Sequence, residues 1–275
     1  MTNTISRAIM ITTKSYKQNI PKKEGAPLYS IENYERPSVA ADCAVFGIDT
    51  VEPESSKLLP SKVLKILLVR RGEEPFAGRY SLPGGFLRRG ETIEEAALRE
   101  LEEEAGVHQP KLIQFGTYSK EGRDPRGWIV SCAFLALTKT VGLATAPGSD
   151  AASAEWFSFG FDEEKKTITL TGQSGEMIIE TSGGIALENP LAFDHGQMIY
   201  DAFMQLRDEV IHHDIIFDLM PEMFAVSELK QPYETITGTS TSPQNFRRKM
   251  ASKICSTGQF VPTAAHRTSE LYRRK

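Results

Sequence analysis

The sequence predicts an α+β chain: a mixed β-sheet packed by one acidic helix, followed by a winged helix-turn-helix unit. Apolar, strand-like runs lie on both sides of a single Glu-rich stretch at residues 92–105, which is entered through Leu82-Pro83-Gly84-Gly85-Phe86. After residue 190 the apolar residues recur at helical spacing, and a proline-started basic segment then precedes two short strand-like stretches. The expected division is an N-terminal arm at 1–37, a sheet domain at 38–190 and a winged-helix domain at 191–275.

Ala40 to Ile48 and Val63 to Val69 read as strands, the second an apolar run broken at Lys65. Thr92 to Ala105 holds good helix formers with no Gly or Pro, so one helix of about four turns is expected. Thr92 caps it, Glu95 completes a capping box, and Gly106 suits the left-handed C-terminal position. Ala96, Ala97, Leu98 and Leu101 supply its buried stripe. Further strands are expected at Leu112 to Tyr118, Ile129 to Leu137 and Trp156 to Phe157. Thr167 to Leu170 and Met177 to Glu180 flank a Gly-containing turn, a hairpin inserted between 160 and 188.

The second domain opens at Asn189-Pro190, and Asp194 with Gln197 suits a capped helix start. Ile199, Ala202, Phe203, Leu206 and Val210 mark an amphipathic helix over 195–212. Phe224 to Ile236 reads as a second helix capped near Ser227, and Gly238 to Ser242 as a turn. Ser242-Pro243 then starts a third helix, with a cap and a proline at its first position. Gln259 to Thr263 and Ser269 to Arg273 read as the strands of a wing, with His266 and Arg267 in the loop.

Of the 275 residues 40% are hydrophobic and 25% charged, which permits a real core and excludes global disorder. Cys43, Cys132 and Cys255 are isolated and odd in number, as expected of core thiols in a reducing compartment. No stretch approaches a membrane span, so a cytoplasmic address without membrane contact is expected. The net charge is −4, yet from Asn245 onward eight Lys and Arg stand against Glu270 alone. That asymmetry points to an anionic partner for the C-terminal part.

The acidic helix carries the chemistry. Glu100, Glu103 and Glu104 stand at i, i+3 and i+4, so their carboxylates share one face. A Glu-rich helix is ordinarily a solvated face. Here a Pro-Gly-Gly loop immediately precedes it, where backbone can approach a ligand closely, and Arg99 lies within reach of the carboxylates. A hard divalent ion with oxygen ligands, Mg²⁺ above all and Mn²⁺ as a substitute, is the natural occupant.

Gly85, Glu91, Arg99, Glu100, Glu103, Glu104 and Gly106, with Leu101 and Val107, make up the complete box of the Nudix hydrolase superfamily, which this sequence resembles without a departure. The resemblance implies that Glu100, Glu103, Glu104 and the Gly85 carbonyl hold the metal. It also implies that Arg99 orients the carboxylates and that Glu91 supports the helix start, with Glu91, Arg99, Glu100 and Glu103 as the catalytic set. The general base is left open among a box glutamate, Asp150 and Glu155. Arg71 with Glu74-Pro75-Phe76, Leu82 to Phe86, Arg123 to Trp128 and Gly148 to Ala152 resemble Nudix proteins that handle ADP-ribose-type nucleotides. Gly84, Gly85, Arg71, Arg123 and Arg126 are the implied contacts to a nucleotide-sugar-type molecule. One departure concerns substrate: the marker proline of dedicated ADP-ribose pyrophosphatases lies about fifteen to sixteen residues after the box, whereas Pro125 lies eighteen after Val107. Trp128 and Trp156 are expected in the core rather than stacked on a base.

Leu191-Ala192-Phe193-Asp194-His195, Asn245 to Lys249 and Leu271-Tyr272 resemble the Nudix-related transcriptional regulators, which join a Nudix domain to a winged helix. Gln244, Asn245, Arg247, Arg248 and Lys249 are then the DNA-binding candidates, the first four as base readers. Lys249, Lys253 and Arg267 would contact phosphates, in a homodimer on a palindromic duplex. Three functions follow: a hydrolase that also regulates transcription, a nucleotide-sensing repressor without turnover, and a plain ADP-ribose pyrophosphatase whose C-terminal domain only dimerises. The intact box makes hydrolysis chemically possible.

Overall fold

A strand buried on both faces organises the molecule. In the computed structural model, which describes residues 33–51, 61–139, 141, 151–182, 184–186, 190–264 and 267–275, residues 37–275 form one unit. The expected arm lies largely outside the described residues, as do Asp150 and His266.

The strands are β1 Ser38–Val51, β2 Ser61–Arg71, β3 Tyr80–Ser81, β4 Gly84–Phe86, β5 Lys111–Tyr118, β6 Ile129–Thr138, β7 Ala151–Asp162, β8 Thr167–Gly172, β9 Gly175–Ser182, β10 Ile185–Ala186, β11 Phe224–Ala225, β12 Ile254–Ala264 and β13 Arg267–Arg274. The helices are α1 Ile93–Ala105, α2 His195–His212, α3 Val226–Thr237 and α4 Pro243–Met250. Among the described residues, β10-β9-β8-β7-β2-β1-β6-β5 lie side by side in one mixed sheet. The short β3 pairs with β2, and β4 pairs with β1. The β1–β6 pairing is parallel, with Val39 opposite Val130 and Val45 opposite Ala136.

Alternation along β1 divides the core. Ala41, Cys43 and Val45 pack with Leu67 and with Ala96, Ala97, Leu101 and Ala105 of α1. Ala44 and Phe46 face the other way, joining Leu64, Ile66 and Leu68 of β2 under α2 and α3. The capping box of α1 is present: Glu95 N donates to Thr92 Oγ1 at 3.2 Å, and Thr92 N donates to Glu95 Oε2 at 2.7 Å. Gly106 ends the helix at φ +60°. Leu98 does not join the stripe: it is 38% exposed, because the buried line runs through Ala97, Leu101 and Ala105 at i+4 steps.

The hairpin expected at 160–188 is longer than its sequence pattern and continues the main sheet. Ile168, Leu170 and Ile179 of that hairpin lie under α2, in the same core as Phe203, whose ring is 4.6 Å from Phe159. This core runs on without a break through Leu229 and Ile236 of α3 to Phe246 of α4 and Ile254.

Three local expectations are corrected. Asp194 stands at the α2 N-cap position without a side-chain capping bond, because its carboxylate is taken by Arg123. Phe224 and Ala225 form a strand on β13 rather than the first turn of a helix, so α3 starts one residue before Ser227 and has no side-chain cap of its own. Trp128 is 53% exposed, not core, while Trp156 packs partly buried on the α1 side. The wing strands β12 and β13 extend beyond their patterned stretches, with a register irregularity around Gly258 at φ +70°.

Because one core serves both the sheet and the C-terminal helices, Phe203→Ala is expected to lower stability by about 3–5 kcal/mol. Near-ultraviolet and far-ultraviolet circular dichroism should still fall in a single transition; separate transitions for sheet and C-terminal helices would contradict a shared core.

Candidate functional site

The Leu82-Pro83-Gly84-Gly85-Phe86 loop is pressed between β1 and α1. A side chain at Gly84 would collide with the Ala41 carbonyl, and one at Gly85 would collide with the Glu100 carboxylate. Gly84 N donates to Glu104 Oε2 at 3.0 Å. Beside this contact opens a cavity of about 790 Å³. Glu100, Glu103 and Glu104 line it together with Gly84, Gly85, Arg71, Arg123 and Arg126, so the expected acidic and basic residues share one enclosure.

Arg99 is the junction of the acidic helix. Its Nε and Nη2 reach Glu91 at 3.1 and 2.9 Å, and Nη1 reaches Glu100 at 2.5 Å and Glu103 at 3.3 Å. Nη2 also donates to the Phe86 carbonyl at 3.1 Å, tying the glycine loop to the helix. Hydrogen bonding to Arg99, helped by the Arg88 N–H, holds the Glu91 carboxyl down at about 2. Arg88 reaches Glu103 from outside at 3.3 Å. Glu91 and Arg99 are thus paired with each other, while Glu103 is turned to arginines.

Glu104 is a half-buried acid of the set, with its carboxyl drawn furthest from water. Burial pushes its carboxyl up to about 7, with Glu100 and Asp42 adding to the rise and the Gly84 N–H and Arg71 opposing it. Among the described residues no three acidic or histidine groups form a ready-made cage. The donor set nevertheless fits a hard cation: a half-buried, poorly neutralised carboxylate stands beside Glu100 in a cradle that a side chain at Gly85 would fill.

Behind Glu104 lies a group the sequence reading missed. Asp42 is buried in β1, accepts from Ser131 Oγ, and has His195 Nε2 3.8 Å away. Leu82 N donates to His195 Nδ1 at 2.8 Å, so the proton of this ring resides on Nε2, facing Asp42. Burial lowers the His195 pKa and keeps the ring neutral, Asp42 and Asp194 opposing that shift. The available signal was a lone carboxylate inside the apolar run Ala40 to Phe46.

The arginines differ in use. Arg123 is bound by Asp194 at 2.9 and 2.7 Å and its side chain is 5% exposed, so much of its donor capacity serves the fold. Arg71 and Arg126 both lie over the Phe193 ring, at 4.9 and 5.0 Å, and Arg126 also lies over Phe86 at 5.0 Å. Asp124 neutralises Arg126 at 2.7 Å, whereas burial and then Arg126 itself depress the pKa of Arg71. Of the general-base candidates, Glu100, Glu103 and Glu104 line the cavity; Glu91 and Glu155 do not, Glu155 being held by Tyr80 Oη at 2.7 Å and Ser174 N at 3.0 Å.

At the far side of the fold, Ser242 Oγ accepts from Asn245 N at 3.3 Å to cap α4. Phe246 and Met250 bury its inner face, leaving Gln244, Asn245, Arg247, Arg248 and Lys249 exposed. Arg248 donates to Asn245 Oδ1 at 3.2 Å. Lys249 stacks 4.5 Å over Tyr233, and Lys253 is paired with Asp214 at 2.6 Å, so neither is an unengaged charge. Arg267 begins β13, on a wing strand rather than in the loop.

Residues 59–166 match the NUDIX domain family, and residues 216–274 match the NrtR DNA-binding winged helix domain. An ADP-ribose pyrophosphatase of Methanocaldococcus jannaschii is 37% identical over 164 residues, covering 58% of this chain and 86% of its own. The chain belongs to the Nudix superfamily. This Nudix protein is also 28% identical to the ADPR responsive transcriptional repressor NtrR of Acinetobacter baylyi, over 89% of this chain and 85% of that one. Its fold is similar to Shewanella oneidensis NrtR complexed with a 27mer DNA, with a TM-score of 0.61 and 27% identity over 86% of this chain and 93% of that chain. The α+β fold with a C-terminal winged helix is therefore as the sequence predicts. No helix among the described residues is long and apolar enough to cross a membrane.

The Glu104 shift has a definite sign. Its folded pKa of about 7 lies above the ordinary 4.5, so without metal the native state loses stability as pH rises through that window. Melting temperatures in chelator between pH 4.5 and 8 should therefore fall more steeply for wild type than for Glu104→Gln. Equal slopes would show that the Glu104 carboxyl is not raised.

Proposed function

We propose that this Nudix protein is a DNA-binding transcriptional regulator that responds to an ADP-ribose-like nucleoside diphosphate and retains Mg²⁺-dependent pyrophosphate hydrolysis. One observation carries the reading: acids suited to a cation and guanidinium groups suited to a diphosphate line a single cavity, in a chain that also presents the exposed basic helix α4. Similarity to an ADPR responsive repressor and to an ADP-ribose pyrophosphatase supports both halves.

Glu100, Glu103 and Glu104, with the Gly85 carbonyl, would hold the cation. When bound, Mg²⁺, or Mn²⁺ in its place, neutralises diphosphate charge and makes water more acidic. The protein's part is positioning. Arg99 keeps Glu100 aimed while Glu91 keeps Arg99 aimed, and Arg71 and Arg126 bind the phosphate oxygens. On α4, Gln244, Arg247 and the Asn245–Arg248 pair are the base readers, and Lys249 approaches the phosphate backbone from its seat on Tyr233. A homodimer on a palindrome would supply the specificity that one winged module lacks.

A second reading, a sensor without turnover, is favoured by the engagement of Glu103 with Arg88 and Arg99. Cleavage of ADP-ribose with Mg²⁺ and with chelator separates the two. Chelator-sensitive turnover is expected, and Glu103→Ala with Glu104→Ala should reduce it by about 100-fold or more. Thermal stabilisation by ADP-ribose without cleavage would select the sensor. The double change Arg247→Ala/Arg248→Ala should weaken binding to a target duplex by about tenfold or more and leave turnover intact. Unchanged DNA affinity would remove α4 from the interface.

A further inference from the structure

The segment between the sheet and α2 is built unusually. Phe193 is a non-glycine residue at φ +53°, a left-handed conformation that a bulky side chain rarely adopts. The guanidinium groups of Arg71 and Arg126 lie 4.9 and 5.0 Å from its ring, with Phe76 edge-on at 5.0 Å and the His195 ring 5.2 Å away. Both arginines line the cavity. The residues on either side are bolted to the cavity wall: Ala192 N donates to the Tyr80 carbonyl at 2.8 Å, Asp194 grips Arg123, and His195 accepts from Leu82 N.

His195 is also the first residue of α2, an 18-residue helix about 27 Å long. On its fourth turn, Arg207 joins the Nudix sheet side to the winged helix. Its Nη2 donates to the Thr237 carbonyl at 3.1 Å and to Glu163 at 3.0 Å. Thr237 is the last residue of α3, and the following Gly238, at φ +69°, sits so close that a side chain there would collide with Arg207. The turn after Gly238 leads directly into α4, and Tyr233 of α3 packs on Phe246 of α4 at 5.3 Å.

We propose that Phe193 and α2 form the relay by which an anionic ligand in the cavity alters DNA binding by α4, entering at the Arg71–Phe193–Arg126 stack and leaving through Arg207 to the end of α3. The proposal rests on the reading of the protein as a ligand-responsive DNA-binding regulator. A diphosphate competes with Phe193 for the faces and N–H groups of both arginines. Withdrawing them removes the support that holds Phe193 left-handed, and the adjoining start of α2 must adjust. A rigid helix conveys that adjustment to its other contacts, and Arg207 has one hydrogen bond on the sheet side and one on α3.

The experiment measures the affinity of full-length protein for a duplex selected by the wild type from a randomised pool, with and without saturating ADP-ribose in chelator. Wild-type affinity is expected to change by about fivefold or more on saturation. Phe193→Leu, which keeps apolar bulk without a π face, and Arg207→Gln should each reduce that change to under about twofold. Reading the ratio at saturation keeps any loss of ligand affinity in Phe193→Leu out of the result. Arg207→Lys, which keeps a charged donor, should retain the response. A full response in either Phe193→Leu or Arg207→Gln overturns the relay, and loss of response in Arg207→Lys as well as Arg207→Gln overturns the exit through Arg207. No response in wild type sinks the regulator reading itself.

Discussion

The close approach of two glycines to their neighbours is the constraint on which this molecule's chemistry depends. With no Cβ at Gly84, strand β4 can lie against the Ala41 carbonyl of β1; with none at Gly85, the Glu100 carboxylate can reach the loop. The same contact brings Glu104 to the Gly84 N–H and Arg99 to the Phe86 carbonyl. Loop, acidic helix and central strand are therefore one rigid assembly, and any larger residue would drive the carboxylates from the cavity wall.

Electrostatics then sorts the glutamates into roles that their shared helix does not distinguish. Glu91 is half-buried and strongly acidic, because Arg99 bonds it through two nitrogens. Glu103 is neutralised from outside by Arg88. Glu104 is half-buried and desolvated next to other acids, so it resists ionisation until something positive arrives. The residue with the least compensation is the one a cation would stabilise most.

The two family regions share one apolar core through α2, which lies between them in sequence and packs on both. A linker of that kind is neither flexible nor neutral. Its first residue, His195, lines the cavity, and its later turns touch the helix that precedes α4. The cavity and the basic helix are thus joined through one packed element, although the carboxylates and α4 are far apart in the chain.

Local chemistry made much of this legible from the sequence. Capping residues, i+4 carboxylates and the Pro-Gly-Gly loop act over a few residues, so α1, its capping box and the acid cluster follow from the order of amino acids. The Ser-Pro start of α4 and its basic exposed face are equally local. What required the tertiary structure is what distant segments do to one another. Asp194 reads as a cap but is claimed by Arg123, 71 residues away. Phe224 reads as helix but pairs with Tyr272. Leu98 and Trp128 read as core but are 38% and 53% exposed. The neutrality of His195, the burial of Asp42 and the arginine stack on Phe193 all depend on long-range packing and its local dielectric. Order along the chain determined which chemical groups exist; only the fold decided which are buried, which are neutralised and which are left facing the cavity.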